Sequence, residues 1–92
     1  MPMERNVRLM VSGSVQSVGY RMFIHKAAGE LNLSGWVRNL MDGSVEIEVQ
    51  GSSGMIDELV KRAERGPGRS SVTKVMVEEL SLDPLKKGFS IR

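Results

Sequence analysis

No cysteine occurs among the 92 residues, which removes disulfides, thiolate metal sites and cysteine nucleophiles together and fits a reducing compartment. Aromatic side chains are almost as scarce, with one Trp, one Tyr and two Phe. A sheet that stacks RNA bases needs aromatics on its central strands, and Trp36 is the sole candidate there, so a single-stranded RNA-binding module is disfavoured. No apolar run approaches the length of a membrane span, and the opening Met1-Pro2-Met3-Glu4-Arg5 has no apolar stretch behind it. We therefore expect no signal peptide, no membrane partner and a cytoplasmic location. Charge of one sign is also lacking: the formal net charge of +2 favours small anions mildly and is far from the dense basic field of a nucleic-acid binder. With no repeat, low-complexity tract or linker, residues 1–92 read as one domain, too small for an interdomain cleft, so any site must be shallow.

What is present is strong periodicity. Val7, Leu9 and Val11 alternate with Arg8, Met10 and Ser12 as a strand. Tyr20, Phe23, Ile24, Ala27, Ala28 and Leu31 form one stripe along a helix, which Asn32 and the following Ser34-Gly35 are placed to stop. Trp36 to Leu40 is extended, Asp42-Gly43 signals a turn, and Val45, Ile47 and Val49 return as a hairpin strand whose other face, Glu46, Glu48 and Gln50, is expected to be wet. Gly51-Ser52-Ser53-Gly54 offers a capping serine to a second helix with the stripe Ile56, Leu59, Val60 and Ala63. Asp57 and Glu58 are expected in its first turn, with Lys61 and Arg62 as their i, i+4 partners. Gly66-Pro67-Gly68 ends it, Val72 to Leu80 supplies a fourth strand, and Phe89-Ser90-Ile91 a short fifth at an edge. Two helices can cover a sheet economically only from one side. The order βαββαβ thus predicts an α+β ferredoxin-like sandwich, an antiparallel sheet with both helices on one face. Lys86 and Lys87 beside the last strand discourage edge pairing, and a monomer is expected.

The segment Gly13-Ser14-Val15-Gln16-Ser17-Val18-Gly19-Tyr20-Arg21 joins the first strand to the first helix. The first N–H groups of a helix lack intrahelical partners and carry the positive end of its dipole, so a loop wrapped around that end attracts an anion. Arg21 adds a planar guanidinium able to give a phosphoryl group two parallel hydrogen bonds. His25, one turn further on, lies outside the apolar stripe and reads as a surface residue, and the scattered methionines read as packing.

This segment resembles the first signature of the acylphosphatases. Gly35-Trp36-Val37-Arg38-Asn39-Leu40-Met41-Asp42-Gly43-Ser44-Val45, with Gly51 after it, resembles that family's second signature. The likeness spans nearly the whole chain, Gly66-Pro67 included. It implies hydrolysis of acyl phosphates to a carboxylate and inorganic phosphate, with no metal, no cofactor and no covalent intermediate. It puts Arg21 on the substrate phosphate, the loop Val15, Gln16, Ser17, Val18, Gly19 and Tyr20 around it, and Asn39 on the attacking water. Arg38 alternates with Asn39 and belongs to the opposite face. Ser17 departs from the pattern, which usually has glycine there; if this position needs positive φ, a serine costs roughly 1–2 kcal/mol. The alternative expectation is a phosphate-binding or accessory domain that keeps the cradle without turnover.

Overall fold

The computed structural model describes residues 3–92; Met1 and Pro2, part of the opening segment considered above, lie outside them. The elements follow the expected order: β1 (Glu4–Ser14), α1 (Tyr20–Glu30), β2 (Ser34–Asn39), β3 (Val45–Ser52), α2 (Ser53–Arg65), β4 (Ser71–Leu80) and β5 (Phe89–Ile91). They form one five-stranded sheet in the order β4-β1-β3-β2-β5. Val7, Leu9 and Val11 of β1, Val37 of β2 and Val45, Ile47 and Val49 of β3 are wholly buried against Ile24 and Ala28 of α1 and Ile56, Leu59 and Ala63 of α2. Each such aliphatic side chain stabilises the fold by about 1.5–3 kcal/mol relative to exposure.

The sheet is mixed rather than wholly antiparallel, because β5 runs parallel to β2 with Gly35 opposite Phe89 and Val37 opposite Ile91. The connection explains this. β4 occupies one edge, and residues 81–88 leave its end and cross the outer, helix-free face of the sheet to the opposite edge. The chain arrives beside the start of β2 and must run the same way.

That crossing also covers the face expected to be wet. Gln50 and Asp83 exchange hydrogen bonds of 2.8 and 2.7 Å, and the Asn6 side chain donates to the Ser81 carbonyl at 2.9 Å. The Lys86 ammonium donates to Asn6 at 3.0 Å and also pairs with Glu48. Lys86 therefore pins the crossing segment instead of guarding an edge.

Helix ends follow local chemistry. Asn32, at φ 56°, stops α1, with Leu33 N–H donating to the Ala28 carbonyl at 2.9 Å and Asn32 N–H to Gly29 at 3.3 Å, the Schellman pattern. α2 starts at Ser53, so Asp57 and Glu58 lie beyond its first turn, and Ser52 makes no side-chain cap. Glu58 does meet Arg62 at 3.2 Å, whereas Asp57 pairs with Arg5 at 2.7 Å. Gly35 is required by close approach: a Cβ there would sit 1.8 Å from the Glu48 carbonyl oxygen. Among the described residues no helix is long and apolar enough to cross a membrane.

Candidate active site

The end of β1, the start of α1, the end of β2 and the end of β5 meet at one end of the sheet, because parallel β5 brings Ile91 and Arg92 up beside Asn39. A cavity of ≈160 Å³ opens there, lined by Val15, Ser17, Gly19, Tyr20, Arg21, Met22, Asn39 and Ile91. It holds the volume of roughly five waters. That suits a small anion and not a large ligand.

The loop keeps its shape through contacts on its far side. The Gln16 side-chain amide donates to the carbonyls of Leu40 at 2.7 Å and Ser44 at 2.9 Å, tying the loop to the β2–β3 turn. Asp42 braces that turn by accepting from the Ser44 N–H at 2.9 Å and its hydroxyl at 2.5 Å. The Ser44 hydroxyl bond, joined by the N–H bond, holds the Asp42 carboxyl below its ordinary range. Val18 packs against the core. Tyr20 is buried and its hydroxyl donates to the Ala63 carbonyl of α2 at 2.8 Å, which anchors the first turn of α1. Burial pushes this phenol well above its usual range, so it stays a neutral donor. Of the loop residues singled out from sequence, Gln16 and Val18 thus turn their side chains away from the cavity, and Val15, Ser17, Gly19 and Tyr20 line it.

The main chain of the loop is left with donors to spare. Gly19 occupies the N-cap position of α1 at φ 79°, without a side-chain cap, and Ser17 is also left-handed at φ 62°. Among the described residues, no N–H group from Gln16 through Tyr20 donates to a protein carbonyl. Successive unpaired amides ahead of a helix N-terminus form a concave positive surface.

Arg21 donates from Nη1 to the main-chain oxygen of Arg92 at 3.0 Å; Arg92 in turn donates its N–H to the Val37 carbonyl at 2.8 Å. The end of β5 therefore fixes the guanidinium from behind. Asn39 ends β2 on the helix side of the sheet, in step with Val37. Its Oδ1 is buried and has no partner within the described protein. A buried carboxamide oxygen without a donor is costly, about 1–3 kcal/mol, and marks where a ligand or water belongs. Arg38 faces the other way, bound to Glu46 at 2.7 Å and lying 5.1 Å over Trp36. His25 is outside the cavity lining, its ring 6.0 Å from that of Phe89.

Sequence reasoning missed Met22, Ile91 and Arg92. Met22 carried a signal, being next to Arg21 in the first helical turn. Ile91 and Arg92 carried none, because only the parallel placement of β5 brings them to this end.

Similarity to known proteins points the same way. A sequence profile described as Acylphosphatase matches residues 7–91. The chain is 50% identical over 88 residues to an acylphosphatase of Chlorobaculum tepidum, covering 96% of each chain. It is 48% identical over 87 residues to one of Caldivirga maquilingensis, covering 94% of this chain and 92% of the relative. The crystal structure of acylphosphatase from Bacillus subtilis superposes with a TM-score of 0.92 at 36% identity, over 98% of this chain and 99% of that one. A profile match along nearly the whole chain, relatives up to 50% identical and a fold shared with the Bacillus subtilis enzyme together place the chain in the acylphosphatase family, hydrolases that act on acyl phosphates.

Proposed function

We propose that Arg21 and the loop amides from Gln16 to Tyr20 hold the phosphoryl group of an acyl phosphate while Asn39 orients the water that attacks it; the Val15 N–H, expected from sequence to join them, is taken by the Gly13 carbonyl at 3.1 Å. The observation that carries this reading is the unpartnered, buried Asn39 Oδ1 beside the same cavity as Arg21 and the uncapped start of α1. An acyl phosphate has a carboxylate leaving group, so positioning and charge stabilisation suffice and no strong protein nucleophile is required. The guanidinium and amides meet the charge spread over the phosphoryl oxygens. Water adds to phosphorus opposite the carboxylate, the bond from phosphorus to the bridging oxygen breaks, and its electron pair leaves with the carboxylate. Asn39 accepts a hydrogen bond from that water through Oδ1, which fixes its approach. A carboxamide is no base at neutral pH, so a phosphoryl oxygen of the substrate takes the proton. The products are a carboxylate and inorganic phosphate.

Acetyl phosphate hydrolysis tests this. Asn39→Ala is expected to lower kcat by about 10²–10³-fold, with KM changed far less, because positioning matters in the transition state more than in binding. Phosphate binding with no turnover in the unaltered chain favours the non-catalytic domain instead, and an undiminished kcat in the variant removes Asn39 from the mechanism.

A further inference from the structure

The anion pocket is too small to enclose an acyl group, yet it does not open onto featureless surface. A shallow groove of ≈700 Å³ runs along the exposed side of α1, bounded by Gly19, Met22, Phe23, His25 and Lys26 and, at its far end, by Gly29 and Glu30. Gly19 and Met22 also line the anion pocket, so the groove begins at its mouth. Ten residues of helix at 1.5 Å each make the track from Gly19 to Gly29 about 15 Å long.

Its walls suit an extended apolar chain. Met22 is 63% exposed, a large flexible side chain held at the junction of the two cavities without a share in the core. Phe23 is partly buried and gives a firm floor packed against the core. Lys26 enters no ion pair among the described residues, and its methylene stem can extend the apolar wall while the ammonium stays in water. At the far end the Glu30 carboxylate is already held by Arg62 of α2 at 2.7 Å. Gly29 is the most telling residue. It sits within a helix, where glycine is disfavoured relative to alanine, and a Cβ there would meet nothing within 4 Å. Packing does not demand this glycine. The position opens onto the groove, which a large side chain would fill and a methyl group would not.

We propose that this groove takes the acyl group of the substrate and favours medium-chain aliphatic acyl phosphates. The inference rests on the acyl phosphate reading of the pocket and adds the class of acyl group. A methylene half removed from water changes binding about twofold. Hexanoyl phosphate carries four more methylenes than acetyl phosphate, so the ratio of their kcat/KM values is expected to reach about 16-fold in the unaltered chain, with butyryl phosphate at about fourfold. Gly29→Phe, which fills the groove from an exposed helical position, should bring that ratio close to one, and Gly29→Ala should retain it. A flat chain-length profile alongside intact acetyl phosphate turnover overturns the groove and leaves the catalytic reading standing. Retention of the full ratio in a folded Gly29→Phe variant, checked by circular dichroism, also overturns it. Absence of turnover at every chain length overturns both readings.

Discussion

On the outer face of the sheet, Arg8 lies 3.0 Å from Glu46 through a buried Nε that is too poorly aligned for a hydrogen bond and meets Glu48 and Glu78 through its terminal nitrogens at 3.2 Å each, while Arg38 shares Glu46 and Lys86 shares Glu48. At the loop end of the same sheet, among the described residues, Arg21 meets one main-chain oxygen, the amides from Gln16 to Tyr20 meet no protein carbonyl, and the Asn39 Oδ1 has no hydrogen-bond partner. Both regions are polar and lie on the same strands. One spends its charges on itself; the other keeps its donors for something from outside. Buried polar groups are normally paired, so a local concentration of unpaired ones is a sharper mark of a binding site than the presence of charge.

The largest effect that separates these regions comes from exchanging their arginines for glutamine. Arg21→Gln is expected to lower kcat/KM for acetyl phosphate by about 10³-fold or more while changing unfolding free energy by less than about 1 kcal/mol, because it removes a ligand-directed cation. Arg8→Gln should do the reverse, lowering the midpoint of a denaturant titration by leaving Glu46 to Arg38 alone and Glu48 to Lys86 alone, with activity nearly unchanged. If both variants lose stability alike and activity alike, the contrast has no functional content.

A middle-sized effect lies within the loop. Ser17 holds φ 62°, which glycine adopts without penalty. Ser17→Gly should raise stability by about 0.5–1 kcal/mol, the relieved strain less the added chain entropy of glycine. It should also raise kcat/KM by letting the neighbouring amides settle around the anion. A lower Tm together with lower activity would mean that the Ser17 hydroxyl itself supports the site.

The smallest effect is a matter of pH on the saturated side. Hydrogen bonds from Arg5 hold the Glu79 carboxyl below its ordinary 4.5. The unfolded chain therefore takes up the proton first, so this stabilisation is present above pH 4.5 and fades as pH falls through the lowered folded value. Glu79→Gln should flatten the fall of Tm on acidification slightly, since the carboxylate is 59% exposed and screened by solvent. An unchanged acid profile would show that this pair contributes nothing measurable.

Much of this was legible in the chain because the signals are local. The stripe from Tyr20 to Leu31, the left-handed stop at Asn32 and the strand-to-helix loop each depend on residues within a turn or two of one another, and they emerged as read. The polar face of β3 was misjudged because alternation tells which side chains share a face and not what crosses over it. Glu46 is only 8% exposed because Arg8 and Arg38 close over it, while Glu48 and Gln50 are half-buried under the later segment that crosses that side of the sheet and bonds to them through Asp83 and Lys86. Lys86 was misplaced for the same reason.

Periodicity and turn chemistry determined the order of elements and the helix-covered face, and the resemblance of two segments to the acylphosphatase signatures singled out Arg21 and Asn39. Only the tertiary structure decided that β5 runs parallel to β2, and with it that Ile91 and the main chain of Arg92 close the pocket behind Arg21. Strand direction at a sheet edge depends on where the preceding connection emerges. That is a property of the assembled sheet, carried by hydrogen bonds between backbones that are alike in every residue, so no side chain in the sequence records it.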